Sequence, residues 1–118
     1  MVVTAPEALE TALQSHLPIA RLIVSELPLV PELRLWLLDG SIAHQPLSHH
    51  RSQALMNDPP YWVFCWASGQ VLARHILSHP EQVQGRTVLD VGPGSGVVAI
   101  AAARAGAKRV IACGLDAV

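Results

Sequence analysis

The chain has 118 residues, the span of one small domain, with 51% hydrophobic side chains, 14% charged ones and a formal net charge of −1. That balance excludes the basic footprint of a nucleic-acid binder, and the longest apolar stretch, Val97 to Ala107, is interrupted by Arg104 and is too short to span a bilayer. A mean hydropathy of +0.36 is high for a chain that buries only about two-thirds of its unfolded surface, so some apolar faces are expected to meet further sequence or another chain.

Met1-Val2-Val3-Thr4 lacks the basic start of a signal peptide. Cys65 and Cys113 each sit in an apolar run and read as reduced core thiols, not as a disulfide or a zinc pair. A cytosolic protein is therefore expected. Thr4 to Glu7 has capping-box spacing and predicts a helix to about His16, ended before Pro18. Ile19 to Leu27, bracketed by Pro18 and Pro28, reads as a short helix. Leu33, Leu35 and Leu37 share one parity while Arg34 faces the other way, which predicts a short strand, and Asp39-Gly40 is a turn. Ser41 to Pro60 is polar, holds His44, His49 and His50 among prolines, and reads as a surface loop.

The next block is regular. A helix is predicted from about Ser68 to Ser78, with apolar pairs Leu72/Ile76 and Ala73/Leu77 and a stop at Pro80. Gly85 is a turn, Thr87 to Val91 a strand, Gly92 to Gly96 a glycine loop, and Val97 to Ala105 a helix with Gly106 just past its end. Lys108 and Arg109 lead into a second strand, Val110 to Cys113. Strand, loop, helix and strand make a βαβ unit whose apolar strands suit a parallel sheet covered on both faces.

The segment Val88-Leu89-Asp90-Val91-Gly92-Pro93-Gly94-Ser95-Gly96 carries the chemistry. Glycine tolerates the positive φ of a tight strand-to-helix turn. Without Cβ atoms the loop lets a ligand pack on backbone, with the free N–H groups of the helix start pointing towards it. The dinucleotide fingerprint G-x-G-x-x-G/A fits only at Gly94, Gly96 and Ala99, which leaves Gly92 unused. The register starting at Gly92 uses Gly92, Gly94 and Gly96 and puts Asp90 at the strand end. A carboxylate there receives the amino group of a methionine moiety and repels a pyrophosphate, which favours S-adenosylmethionine over NAD.

V-L-D-x-G-x-G-S-G-x-x-A-I-A-A-A resembles motif I of the class I S-adenosylmethionine-dependent methyltransferases. The preceding Pro60-Tyr61-Trp62-Val63-Phe64-Cys65-Trp66-Ala67-Ser68-Gly69-Gln70-Val71-Leu72-Ala73-Arg74 sharpens the likeness. It resembles the group of bacterial predicted nicotinamide N-methyltransferases and electron-transfer-flavoprotein β-subunit lysine methyltransferases, which read P-[FY]-W-x-x-x-W-x-G-G-Q-x-L-x-R and then V-L-D-x-G-S-G-S-G. The likeness runs from about Pro31 to Cys113. It implies an α/β, Rossmann-like sheet that binds S-adenosylmethionine with Trp66, Gly92, Pro93 and Gly94 along the cofactor, and a protein lysine or a nicotinamide-like nitrogen as acceptor. An aromatic face such as Trp66 suits a sulfonium or an adenine ring; Trp62 reads as core packing.

Two departures stand out. Relatives end the second strand with A-C-D-I-D-P, whose first aspartate grips the ribose hydroxyls, whereas this chain has Gly114, with Asp116 two residues later as the possible substitute. The chain also stops where relatives continue through five more strands. The expectation is an N-terminal helical segment (1–60) followed by the first βαβ unit of a methyltransferase domain (61–118), an incomplete copy without visible catalytic base. A remnant serving as an interaction module and an NAD-binding unit are the alternatives.

Other signals are discounted. Asp58-Pro59-Pro60-Tyr61 matches the D-P-P-Y signature of amide and exocyclic-nitrogen methyltransferases, but it precedes the glycine motif by only about 30 residues and reads as a proline-fixed entry to a helix at Trp62. His75 and His79 lie one helical turn apart without the H-E-x-x-H context, so no metal is expected.

Overall fold

The computed structural model describes residues 6–40, 48–57 and 59–114. In chain order the elements are α1 (Glu7–His16), β1 (Leu22–Leu27), β2 (Val30–Leu38), α2 (His49–Asn57), a 3-10 turn (Tyr61–Val63), α3 (Ala67–Ser78), a second 3-10 turn (Pro80–Gln82), β3 (Thr87–Val91), α4 (Val97–Arg104) and β4 (Arg109–Cys113). The chain is α/β, and the expected βαβ unit is present: β3 and β4 pair in parallel, Thr87 against Arg109 through Val91 against Cys113.

The N-terminal part departs from the expected helices. Ile19 to Leu27 is not a helix; its second half is β1, paired antiparallel with β2 from Leu22/Leu38 to Leu27/Val30, with an irregularity at Glu26/Leu27. Pro28 and Leu29 form the two-residue hairpin turn. The proline fixes φ at a turn instead of ending a helix, and β-branched Ile23 and Val24 suit a pleated strand. The expected loop from Ser41 to Pro60 holds helix α2 within it, and the helix expected at Trp62 is only a 3-10 turn. Helix α1 starts behind Pro6 with no side-chain cap; Thr4 lies outside the described residues.

The hairpin is buried on both faces. Leu33 and Leu35, with Leu27 and Val30, join Ala73, Ile76, Val83, Val97 and Ala101 in one core. On the other face Leu22, Trp36 and Leu38 pack with Leu13, Ala20, Val63 and Trp62 in a second. Residues from either side of position 60 thus share both cores. Polar ties fix the hairpin in place. The buried Gln70 of α3 accepts from the Leu29 N–H through Oε1 and donates to the Cys65 carbonyl, both at 3.1 Å. Arg74 donates to the Glu32 carboxylate at 2.7 Å, and Arg104 donates to the Glu32 carbonyl at 2.7 Å. A hydrogen bond from its own backbone, then the one from Arg74, holds the Glu32 carboxyl below its usual range. This contribution is present above the usual carboxylate range and is lost as pH falls through the lowered value.

The β3–β4 ribbon is covered on one side only. Val88 packs against the first core, while Leu89 (61% exposed), Val91 (74%) and Ile111 (38%) lie bare on the other. We expect Leu89→Lys to reduce self-association of the chain on size exclusion while changing stability by no more than about 0.5 kcal/mol. A second expectation concerns Gly69, where an added Cβ would lie 3.0 Å from Val97 Cγ1. Gly69→Ala gains about 1 kcal/mol in helix propensity, yet we expect a net loss of unfolding free energy in urea. Gly69→Ala combined with Val97→Ala should cost less than the two changes separately; strictly additive losses would show that the contact carries no strain.

Candidate functional site

The site forms where β3 turns into α4. The Gly92 N–H donates to the Cys113 carbonyl at 2.8 Å, tying the loop to the end of β4. The Gly96 N–H donates to the Pro93 carbonyl at 2.8 Å, and the first helical bond runs from Ile100 to Gly96 at 2.9 Å. The N–H groups of Val97, Val98 and Ala99 therefore precede the intrahelical ladder, as at any helix start. Gly92, Gly94 and Gly96 all have positive φ, 69°, 54° and 84°, a conformation that side chains with a Cβ adopt only with strain. A Cβ added at Gly92 or Gly94 would meet nothing within 4 Å, so the bare backbone faces open space.

Asp90 stands opposite Ala112 in the parallel register. Its Oδ2 is buried and has no hydrogen-bond partner. A carboxylate oxygen shielded from water without a donor is costly, and an ammonium or hydroxyl from a ligand would satisfy it. The open loop and this orphaned oxygen together fit the amino-acid end of S-adenosylmethionine.

A cavity of about 360 Å³ adjoins the loop. Pro93, Gly94, Ser95 and Gly96 form one wall, Arg34, Leu35 and Trp36 of β2 another, and Leu9, Trp62, Ile100 and Ala112 complete it. Of the residues expected from sequence, Pro93, Gly94 and Gly96 line this cavity; Gly92 and Asp90 flank it. Trp66 does not line it. It is 59% exposed and packs on Phe64 in a tilted pair, ring centroids 5.7 Å apart at an interplanar angle of 51°. Asp116 lies outside the described residues. Arg34, Trp36 and Trp62 escaped the sequence reading: the alternation in Leu33-Arg34-Leu35-Trp36 announces a strand, but not what its second face meets.

Pro93 and Gly114, where the chain departs from the resembled pattern, are neighbours. A Cβ at position 114 would lie 3.2 Å from Pro93 Cδ and 3.8 Å from Cγ. Elsewhere, the His75 and His79 rings stack with centroids 4.4 Å apart, and His75 Nε2 lies 2.9 Å from Gln82 Oε1. No group of three metal-ligating side chains occurs among the described residues, and no helix among them is long and apolar enough to cross a membrane.

Residues 72–118 match the family model for ribosomal protein L11 methyltransferase (PrmA). The human electron transfer flavoprotein beta subunit lysine methyltransferase is 37% identical over 94 residues, covering 80% of this chain and 35% of the relative. Its rat counterpart is 33% identical over 113 residues, 96% of this chain and 43% of the relative. A protein N-terminal and lysine N-methyltransferase EFM7 of Eremothecium gossypii is 39% identical over 59 residues, 49% of this chain and 22% of the relative. These matches make the chain similar to methyltransferases over the segment that carries the glycine loop. Within that class it is similar to the electron-transfer-flavoprotein β-subunit lysine methyltransferases, of whose length it spans between 35% and 43% in the human and rat proteins.

The loop geometry separates two substitutions. Gly94→Val is expected to abolish cofactor binding, because a branched Cβ strains φ at 54° and projects into the open space before the loop. Pro93→Ser should leave binding within about threefold, since proline contributes no N–H. Calorimetric titration of both variants checks this, and equal tolerance of the two would show that the loop meets no ligand.

Proposed function

We propose that the protein is an S-adenosylmethionine-dependent N-methyltransferase whose acceptor is a protein lysine. The observation that carries the cofactor assignment is the buried, unpartnered Asp90 Oδ2 beside a glycine loop with open backbone. The acceptor rests on the lysine methyltransferases to which the chain is similar. When bound, the cofactor supplies an electrophilic methyl group on a sulfonium. Asp90 would receive its ammonium, and the bare backbone at Gly92 and Gly94 would let its body approach without steric conflict.

The chain's own contribution is orientation. Holding the two reactants in line accounts for up to about 7–11 kcal/mol of a transfer barrier. The acceptor amine must also give up a proton before it attacks. No carboxylate or histidine lines the cavity among the described residues, and none of them is assigned as the proton acceptor. Asp116 is the remaining proposed ligand of the ribose, and Trp66, on the surface beside Phe64, that of the sulfonium or adenine.

The rival is an NAD-binding unit. Calorimetry with both cofactors separates the two: S-adenosylmethionine or its demethylated product should bind and NAD should not, because a pyrophosphate would face the Asp90 carboxylate. Binding of NAD alone would overturn the proposal. For the 118 residues by themselves we expect binding without turnover, for want of a proton acceptor at the cavity; robust transfer from labelled cofactor would contradict that. Any transfer is expected on protein lysine, and label on nicotinamide instead would overturn the acceptor assignment.

A further inference from the structure

Arg34 is the one charged residue among the described residues that line the cavity, and no carboxylate-bearing residue is among that lining. It lies on the face of β2 that carries Trp36, and Gly94, Ser95 and Gly96 line the same cavity. Among the described residues its ion pair is with Glu26, the cross-strand neighbour, at 3.8 Å, with the two side chains 67% and 73% exposed. A contact that long between solvated groups is weak and leaves the guanidinium able to turn towards a ligand. Trp36, Trp62 and Ile100 make much of the rest of the wall apolar.

The sign of this site selects its ligand. At the hairpin wall a protonated amine would meet the like charge of Arg34. A carboxylate would meet a planar guanidinium able to donate two parallel hydrogen bonds. We propose that Arg34 binds the α-carboxylate of the cofactor's methionine moiety, so that the hairpin and β3 divide the zwitterion, Arg34 taking the anion and Asp90 the cation. This rests on the cofactor reading above. It assigns to the N-terminal hairpin, which precedes the residues 72–118 of the family match, a direct part in binding.

The test compares two ligands that differ only at that group: S-adenosylmethionine and its decarboxylated form, each titrated calorimetrically into the purified protein. Arg34→Gln should weaken S-adenosylmethionine roughly tenfold or more and leave the decarboxylated form within about twofold. The unchanged second ligand also shows that the variant is folded. Arg34→Lys should recover part of the loss, and Glu26→Gln, which removes the competing carboxylate, should bind S-adenosylmethionine at least as tightly as the parent. Equal losses for both ligands, or no loss for either, would overturn the assignment of Arg34. Failure of the unaltered protein to bind either ligand is a different result: it overturns the cofactor reading itself, and Arg34 with it.

Discussion

Helices α3 and α4 meet through residues with little or no side chain, and that close approach determines where the loop, the ribbon and the hairpin can lie. Gly69 leaves just enough room for Val97, the first residue of α4, and Ala73 and Ala101 are wholly buried in the shared core. Because α4 begins at this contact, the orientation of its N-terminus, and of the glycine loop feeding it, follows from how near α3 can come. The hairpin then caps the same pair, its Leu33 and Leu35 packed below and its Glu32 held by an arginine from each helix. Close-packed interiors transmit small volume changes as displacements, so Gly69, on the neighbouring helix, bears on the geometry of the site.

The parts of the fold legible in the sequence are those with a strong local period and a glycine or proline at each boundary. Strand β3, helix α4 and strand β4 meet these conditions, and their bounds follow from Gly85, Gly92, Gly96 and Gly106. Strand β1 did not, because proline brackets a helix and a hairpin alike, and only pairing with β2 decides between them. Helix α2 has polar residues nearly throughout, so no apolar stripe marks it. In the candidate site, the loop glycines and Asp90 were legible because backbone conformation and strand-end position are local properties. Arg34, Trp36 and Trp62 were not, since their place in the cavity with Gly94 depends on contacts between segments roughly thirty to sixty residues apart, which no spacing in the chain encodes.

The cavity draws on two sources of different character. Its floor is backbone, held by hydrogen bonds at Gly92 and Gly96 and indifferent to side-chain identity except for the exclusion of Cβ atoms. Its opposite wall is made of side chains from a twisted hairpin, buried on both faces and tied to α3 through Gln70. A ligand lodged between them would bridge the two cores of the protein, and binding energy gained there would add to the stability of the hairpin's attachment by mass action.

The neighbourhood of Pro93 and Gly114 makes the choice of residue at one position depend on the other. The resembled pattern has serine at the first position and aspartate at the second, and this chain differs at both. A proline ring is anchored to the backbone at two points and cannot swing aside, so a side chain at position 114 would press on it at 3.2 Å. With serine at position 93 that ring would be absent. The two positions are therefore sterically coupled: an aspartate placed at 114 alone would crowd Pro93, and the room for it depends on which residue occupies the loop.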